Sequence, residues 1–156
     1  MADTVSPAVR SRMMSGIRSS STGPERLMGS WLHASGFRYR RNVATLPGKP
    51  DLVFPRYRAV ILVNGCFWHG HRCHLFRWPA THAEFWKEKI GRNRRRDRRV
   101  QSELVDAGWR VLVVWECGLR AVTEVGAERL SRRISAWLRK GPRRLEIPRQ
   151  PRRHSA

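Results

Sequence analysis

The apolar residues of this chain follow two rhythms. Leu27, Met28, Trp31 and Leu32 recur at helical spacing, opened by Thr22-Gly23-Pro24-Glu25, which reads as a capping box, and closed by Gly36. A weaker helix is predicted before it, from Ser6-Pro7 through Met13, Met14 and Ile17. The rhythm then shortens. Phe37 to Val43, Asp51 to Phe54 and Ala59 to Val63 read as strands, separated by Leu46-Pro47-Gly48-Lys49-Pro50 and Pro55-Arg56. Short turns predict antiparallel neighbours. Ala59-Val60-Ile61-Leu62-Val63 is apolar on both faces, so it should be a central strand covered by helices on each side.

Thr81-His82-Ala83-Glu84 is a second capping box, and the helix it opens should run to near Gly108. Trp109 to Trp115 is another buried strand. Reached through a helix, it should lie parallel to the Ala59 strand. Leu130, Ile134, Trp137 and Leu138 mark a last amphipathic helix, stopped by Gly141-Pro142. From Pro142 onward Pro and Arg dominate, so a single domain over 1–141 is expected, followed by a disordered basic tail over 142–156. The predicted fold class is α/β, a mixed sheet between helical layers.

Charge adds a partner to this picture. The 156 residues carry 32 Lys plus Arg against 12 Asp plus Glu, a net +20, and only Lys49, Lys87, Lys89 and Lys140 are lysine. A field of that sign concentrates polyanions, which makes nucleic acid the default partner. Arginine suits bidentate phosphate contacts. The sequence has no apolar run long enough to span a bilayer, and Met1-Ala2-Asp3-Thr4-Val5-Ser6-Pro7 lacks the basic-then-apolar pattern of a signal peptide. The expected location is the cytoplasm, at the nucleoid. Three cysteines disfavour a disulfide framework and favour a metal site or buried thiols.

The chemistry concentrates between Gly65 and His74, G-C-F-W-H-G-H-R-C-H. Cys66 and Cys117 each follow a buried strand, and if those strands are parallel neighbours both emerge at one sheet edge. His71 and Cys73 can then complete a tetrahedral Cys3His zinc site with no position left open for catalysis; buried free thiols are the alternative. Asp51, after Pro50 at the start of a strand, can reach a divalent cation, although a turn aspartate is the commoner role. His69 has the chemistry of a general base near neutral pH, or is a further solvated histidine of the loop. Phe67 and Trp68 are adjacent large aromatics in a polar loop, so both are not expected to face one core. Trp86, Lys89, Ile90, Asn93 and Asp97 share one helix face, and Arg92 to Arg99 can line phosphates.

Helix, three-strand meander, helix, strand with Pro50-Asp51 on the second strand resembles the restriction-endonuclease-like core. That core usually adds an acid-x-Lys on the third strand, where this chain has Val63-Asn64-Gly65. The segments L-P-G-K-P-D (Leu46 to Asp51), N-G-C-F-W-H-G-H-R-C-H (Asn64 to His74), F-W-K-E-K-I-G-R-N (Phe85 to Asn93), R-D-R-R (Arg96 to Arg99) and G-W-R-V-L-V-V-W-E-C (Gly108 to Cys117) resemble the very-short-patch-repair (Vsr) DNA mismatch endonucleases. The resemblance runs from about Arg10 to Arg120.

It implies a bacterial enzyme that nicks one strand of duplex DNA just 5′ of the thymine in a T·G mismatch left by deamination of 5-methylcytosine. By the same resemblance, Asp51 and the main-chain carbonyl of Val63 bind Mg2+, His69 activates the attacking water and Glu25 supports the solvent at the metal. Cys66, His71, Cys73 and Cys117 hold a structural zinc. Phe67, Trp68 and Trp86 wedge beside the mismatch from the major groove, Met14 approaches from the minor groove, and Lys89 and Asn93 lie close to the mismatched pair. Many members have Thr and His where this chain has Val63 and Asn64, which places more weight on His69. The protein is expected to act as a monomer, with mismatch-repair proteins as candidate further partners. Other readings of the same residues are a zinc-stabilised DNA-binding protein without nuclease activity and a restriction-type nuclease of the same fold.

Overall fold

The computed structural model describes residues 23–120 and 124–148. Met14, the Ser6-Pro7 helix and Thr22 lie outside the described residues. In chain order the elements are α1 (Gly23–Ala34), β1 (Arg40–Arg41), β2 (Leu52–Phe54), a 3-10 turn (Pro55–Tyr57), β3 (Ala59–Asn64), α2 (Ala83–Asp106), β4 (Arg110–Trp115), α3 (Glu116–Arg120), α4 (Glu124–Arg139) and β5 (Arg144–Ile147). The described strands form one sheet in the order β1-β2-β3-β4-β5. Its first three strands are antiparallel neighbours, whereas β4 runs parallel to β3 and β5 parallel to β4.

Alternation along the strands divides the core between two faces. Leu52, Phe54, Ala59, Ile61, Leu112 and Val114 pack with Met28 and Leu32 of α1 and Ile134, Trp137 and Leu138 of α4. Val53, Val60, Leu62, Val111, Val113 and Trp115 pack on the opposite face with Leu104 of α2, Cys66 and Cys117. The sheet is therefore sandwiched by helices, and the candidate metal ligands belong to the α2 face.

Two local devices fix how α1 and α4 meet the sheet. Gly36, at φ 93°, ends α1 in a Schellman motif: its N–H donates to His33 O and that of Phe37 to Leu32 O, both at 3.0 Å. Phe37 is thereby turned into the core. Arg110, at the start of β4, donates to Trp137 O and Leu138 O, each at 2.6 Å, and to Tyr57 O at 3.0 Å. Its guanidinium satisfies carbonyls at the C-terminal end of α4, where a cation also suits the helix dipole.

Three elements depart from expectation. The Phe37–Val43 strand shrinks to Arg40–Arg41, because Phe37 belongs to the α1 cap and Asn42 adopts a left-handed φ of 49°. The Thr81–Glu84 capping box does not form: the N-cap is His82, in the left-handed region at φ 54° and without a side-chain cap bond. That shift leaves Glu84 one position short of the reciprocal contact. Finally, Arg144–Ile147 is not tail but the fifth strand, so the folded unit extends past Gly141. Leu145 and Ile147 alternate onto the α1/α4 face, with Ile147 buried, and β5 covers the otherwise open edge of β4. No helix among the described residues is long and apolar enough to cross a membrane.

Candidate active site and metal centre

Cys66 and Cys117 reach one place because β3 and β4 are parallel and end together. Asn64 pairs with Trp115 at the last register position, and each cysteine stands two residues beyond. The Cys117 N–H donates to Cys66 Sγ at 3.3 Å. The loop then folds back, the His71 N–H donating to Cys66 O at 2.9 Å, which brings His71 Nδ1 to 3.6 Å from both Cys66 Sγ and Cys117 Sγ. With Cys73, the four candidate ligand atoms lie within 4.8 Å of one another.

This donor set fits zinc. Zinc–sulfur and zinc–nitrogen bonds of ordinary length in a tetrahedron separate sulfur from nitrogen by about 3.6 Å. Burial pushes the Cys66 and Cys117 thiols up and the His71 imidazole down. Burial alone therefore favours the neutral forms of the Cys66 and Cys117 thiols and of the His71 imidazole. A divalent cation would deprotonate the thiols, while His71 already has its ligand form. Gly70 makes the fold-back possible: its φ is 61°, and a Cβ there would stand 2.8 Å from Ile90 Cγ2 of α2.

Asp51 precedes β2 and aims its carboxylate at the next strand, where Oδ2 accepts the Val63 N–H at 2.7 Å. The β2–β3 ladder stops at Leu52 and Ile61, so the polar backbone edge of Val63 meets Asp51 beyond the end of β2. Its carbonyl points to the same edge as its N–H, as in any extended strand. Burial raises the Asp51 pKa, opposed by the Val63 N–H, by its own backbone N–H and by the charge of His69. A half-buried carboxylate short of compensating charge beside a main-chain carbonyl is a donor pair that suits a hard divalent cation.

His69 is tied to both groups, its charge acting on Asp51 and its ring meeting the Trp115 indole that stacks on His71. Its Nδ1 is 2.5 Å from Asp97 Oδ2, with the side chains 26% and 23% exposed, so the pair is held firmly while water still reaches it. Asp97 was legible only as one member of the Trp86–Asp97 face. The available signal was a lone acid inside Arg92–Arg99, four residues beyond Asn93 and so on the same helix face.

Phe67, Trp68 and Trp86 belong to neither core cluster. They form their own half-buried group: Phe67 lies 5.3 Å from both Trp68 and Trp86, and Trp68 lies 5.9 Å from Trp86. Exposed Phe85 and Trp78 continue it at the surface. Lys89 Nζ stands 5.4 Å from the Trp68 ring and 5.9 Å from Trp86, while Asn93 Nδ2 donates to Trp68 O at 2.9 Å and fixes the loop to α2. Lys89, Arg92, Asn93, Arg95, Arg96 and Arg99 line a groove of about 680 Å³ along the helix. Glu25 is in the first turn of α1, and its side chain lies outside the described part of the structure.

The sequence compares directly with known proteins. The family described as DNA mismatch endonuclease Vsr matches residues 2–75. The DNA mismatch endonuclease Vsr of Escherichia coli (strain K12) is 48% identical over 138 residues, 88% of each chain. The chain belongs to the Vsr family. The type II nicking enzyme V.XorIIP of Xanthomonas oryzae pv. oryzae is 46% identical over 119 residues, covering 76% of this chain and 88% of that one. V.NmeAIP of Neisseria meningitidis, also a type II nicking enzyme, is 41% identical over 134 residues, 86% of this chain and 95% of its own. The Vsr family match ends at residue 75, ahead of α2, so it covers Asp51, His69, Cys66, His71 and Cys73 but neither Asp97 nor Cys117.

Proposed function

We propose that this Vsr-family protein is a Mg2+-dependent endonuclease that nicks one strand of duplex DNA just 5′ of the thymine in a T·G mismatch. The observation that carries the reading is the His69–Asp97 pair, held 2.5 Å apart beside the half-buried Asp51. An ionised Asp97 accepting from Nδ1–H fixes the imidazole tautomer and leaves Nε2 as the basic nitrogen. Nε2 takes a proton from water as the water oxygen bonds to phosphorus. The bridging P–O bond breaks, and its electron pair leaves with the strand end. Asp97 then faces an imidazolium and stabilises it. Asp51 and the Val63 carbonyl would hold Mg2+, which would supply charge neutralisation for the phosphoryl oxygens, and Glu25 would support the solvent at the metal.

Cys66, His71, Cys73 and Cys117 hold a structural zinc that braces the loop carrying His69, Phe67 and Trp68. Those aromatics and Trp86 wedge into the stack at the mismatch from one groove, and Met14 meets it from the other. A wobble pair is already poorly stacked, so wedging costs less there than at a paired step. Lys89 and Asn93 lie beside the mismatched pair, and the arginines of α2 track phosphates. The test is a pair of variants. His69→Ala and Asp51→Asn should bind a T·G duplex near normally and lose nearly all nicking in Mg2+, because proton removal and charge stabilisation act mainly in the transition state. Nicking by His69→Ala at the wild-type rate would remove the base assignment.

A further inference from the structure

We propose that Glu146, from the strand outside the recognisable family motifs, is a positioning residue for His69, acting through Trp115. The proposal rests on the role given to His69 above. Trp115 ends β4 on the α2 face and is 5% exposed. Its indole lies parallel to His71, with centroids 4.1 Å apart and planes at 11°. The same indole meets His69 at 6.2 Å and 72°. One ring therefore touches both the candidate metal ligand and the candidate base.

Besides its packing, the indole has its one donor bound: Trp115 Nε1–H donates to Glu146 Oε1 at 2.7 Å. Glu146 pairs with Val113 in the β4–β5 register, so strand addition delivers the carboxylate to the indole. Asn64, His69, Asp97, Trp115 and Glu146 line one cavity of about 700 Å³. His69 is thus fixed from two sides, by Asp97 at Nδ1 and by the indole face-to-edge. Removing the Glu146 acceptor leaves a buried N–H unpaired, and the ring then gains by turning toward other partners. His69 would lose one of its two supports while still reaching Asp97.

The experiment uses the full-length, zinc-loaded protein and the variants Glu146→Ala, Glu146→Gln and Trp115→Phe. Misplacing a reacting group slightly reduces rate more than affinity. Glu146→Ala should slow single-turnover nicking roughly 10- to 100-fold with mismatch affinity and zinc content unchanged. Glu146→Gln keeps an acceptor oxygen and should recover the rate, Trp115→Phe keeps a ring without the N–H and should lose it, and Glu146→Ala with Trp115→Phe should lose no more than either alone. NMR of the His69 ring gives a readout independent of activity: Asp97 keeps the ring in one tautomer in both proteins, while the ring resonances, which sense the Trp115 indole beside them, shift in Glu146→Ala. Wild-type nicking by Glu146→Ala or Trp115→Phe, failure of Glu146→Gln to rescue, or equal losses of rate, affinity and zinc would overturn the proposal. If wild type itself does not nick, the endonuclease reading fails, and an unchanged His69 spectrum in folded variants separately overturns this one.

Discussion

His69 Nδ1 and Asp97 Oδ2 stand 2.5 Å apart, joining residues 28 positions apart in the chain. The loop after β3 is thereby tied to the middle of α2. Asp97→Asn keeps an acceptor oxygen but removes the charge that stabilises an imidazolium. It should lower the nicking rate roughly 100-fold while leaving mismatch affinity intact, measured by single-turnover kinetics beside equilibrium binding. An equal loss of affinity would make the pair a structural tie alone.

The thiol cluster gives a metal prediction. Purified, reduced protein should carry about one zinc per chain that survives mild chelation. Cys117→Ser should lose that zinc and stability together, because a metal that binds only the folded chain contributes its binding energy to folding. A loss of roughly 3 kcal/mol would lower Tm by about 6 to 12 °C for a domain of this size. Metal analysis of the wild type, run with the melt, checks both; protein without zinc sinks the assignment.

Asp51 carries a pH prediction. Burial lifts its carboxyl above the ordinary value of 3.8, so folding of the metal-free protein disfavours the charge. Its stabilising contribution is fully present below the unfolded pKa and is lost as pH rises through the folded one. Metal-free Asp51→Asn should therefore melt above wild type near neutral pH, with the gap closing toward about pH 4. Adding Mg2+ should raise the wild-type Tm and leave Asp51→Asn unmoved. A lower Tm for metal-free Asp51→Asn at neutral pH would contradict the sign.

Trp68→Ala tests the wedge. It should cost roughly 1 to 3 kcal/mol of mismatch binding, by analogy with base–aromatic stacking, and leave the salt dependence unchanged because phosphate contacts set that slope. Binding isotherms on mismatched and paired duplexes at several salt concentrations give both quantities. Equal losses on the two duplexes would show that Trp68 serves packing and not discrimination.

Much of this site was legible before any coordinates. Cys66 stands three residues beyond the apolar run ending at Val63 and Cys117 two beyond Trp115, and the offsets become equal only because β3 runs on to Asn64. The sandwich followed from Ala59–Val63 being apolar on both faces. Asp97 was harder to read because its partner lies on a loop, and helix spacing names a face without naming what packs on it. β5 was masked by composition: Arg144-Leu145-Glu146-Ile147 alternates correctly for a strand, but four residues are a weak signal inside a Pro/Arg stretch. The start of α2 failed differently, since Thr81 and His82 compete for the cap and only the backbone path decides.

Mismatch-directed nicking is tested most directly by single-turnover cleavage of end-labelled duplexes that differ only in carrying T·G, T·A or C·G at one position. The nick should appear in Mg2+ and not in EDTA, on the thymine strand of the T·G duplex, immediately 5′ of the thymine. Cleavage of all three duplexes at equal rates, or binding to T·G with no cleavage in Mg2+, would contradict it.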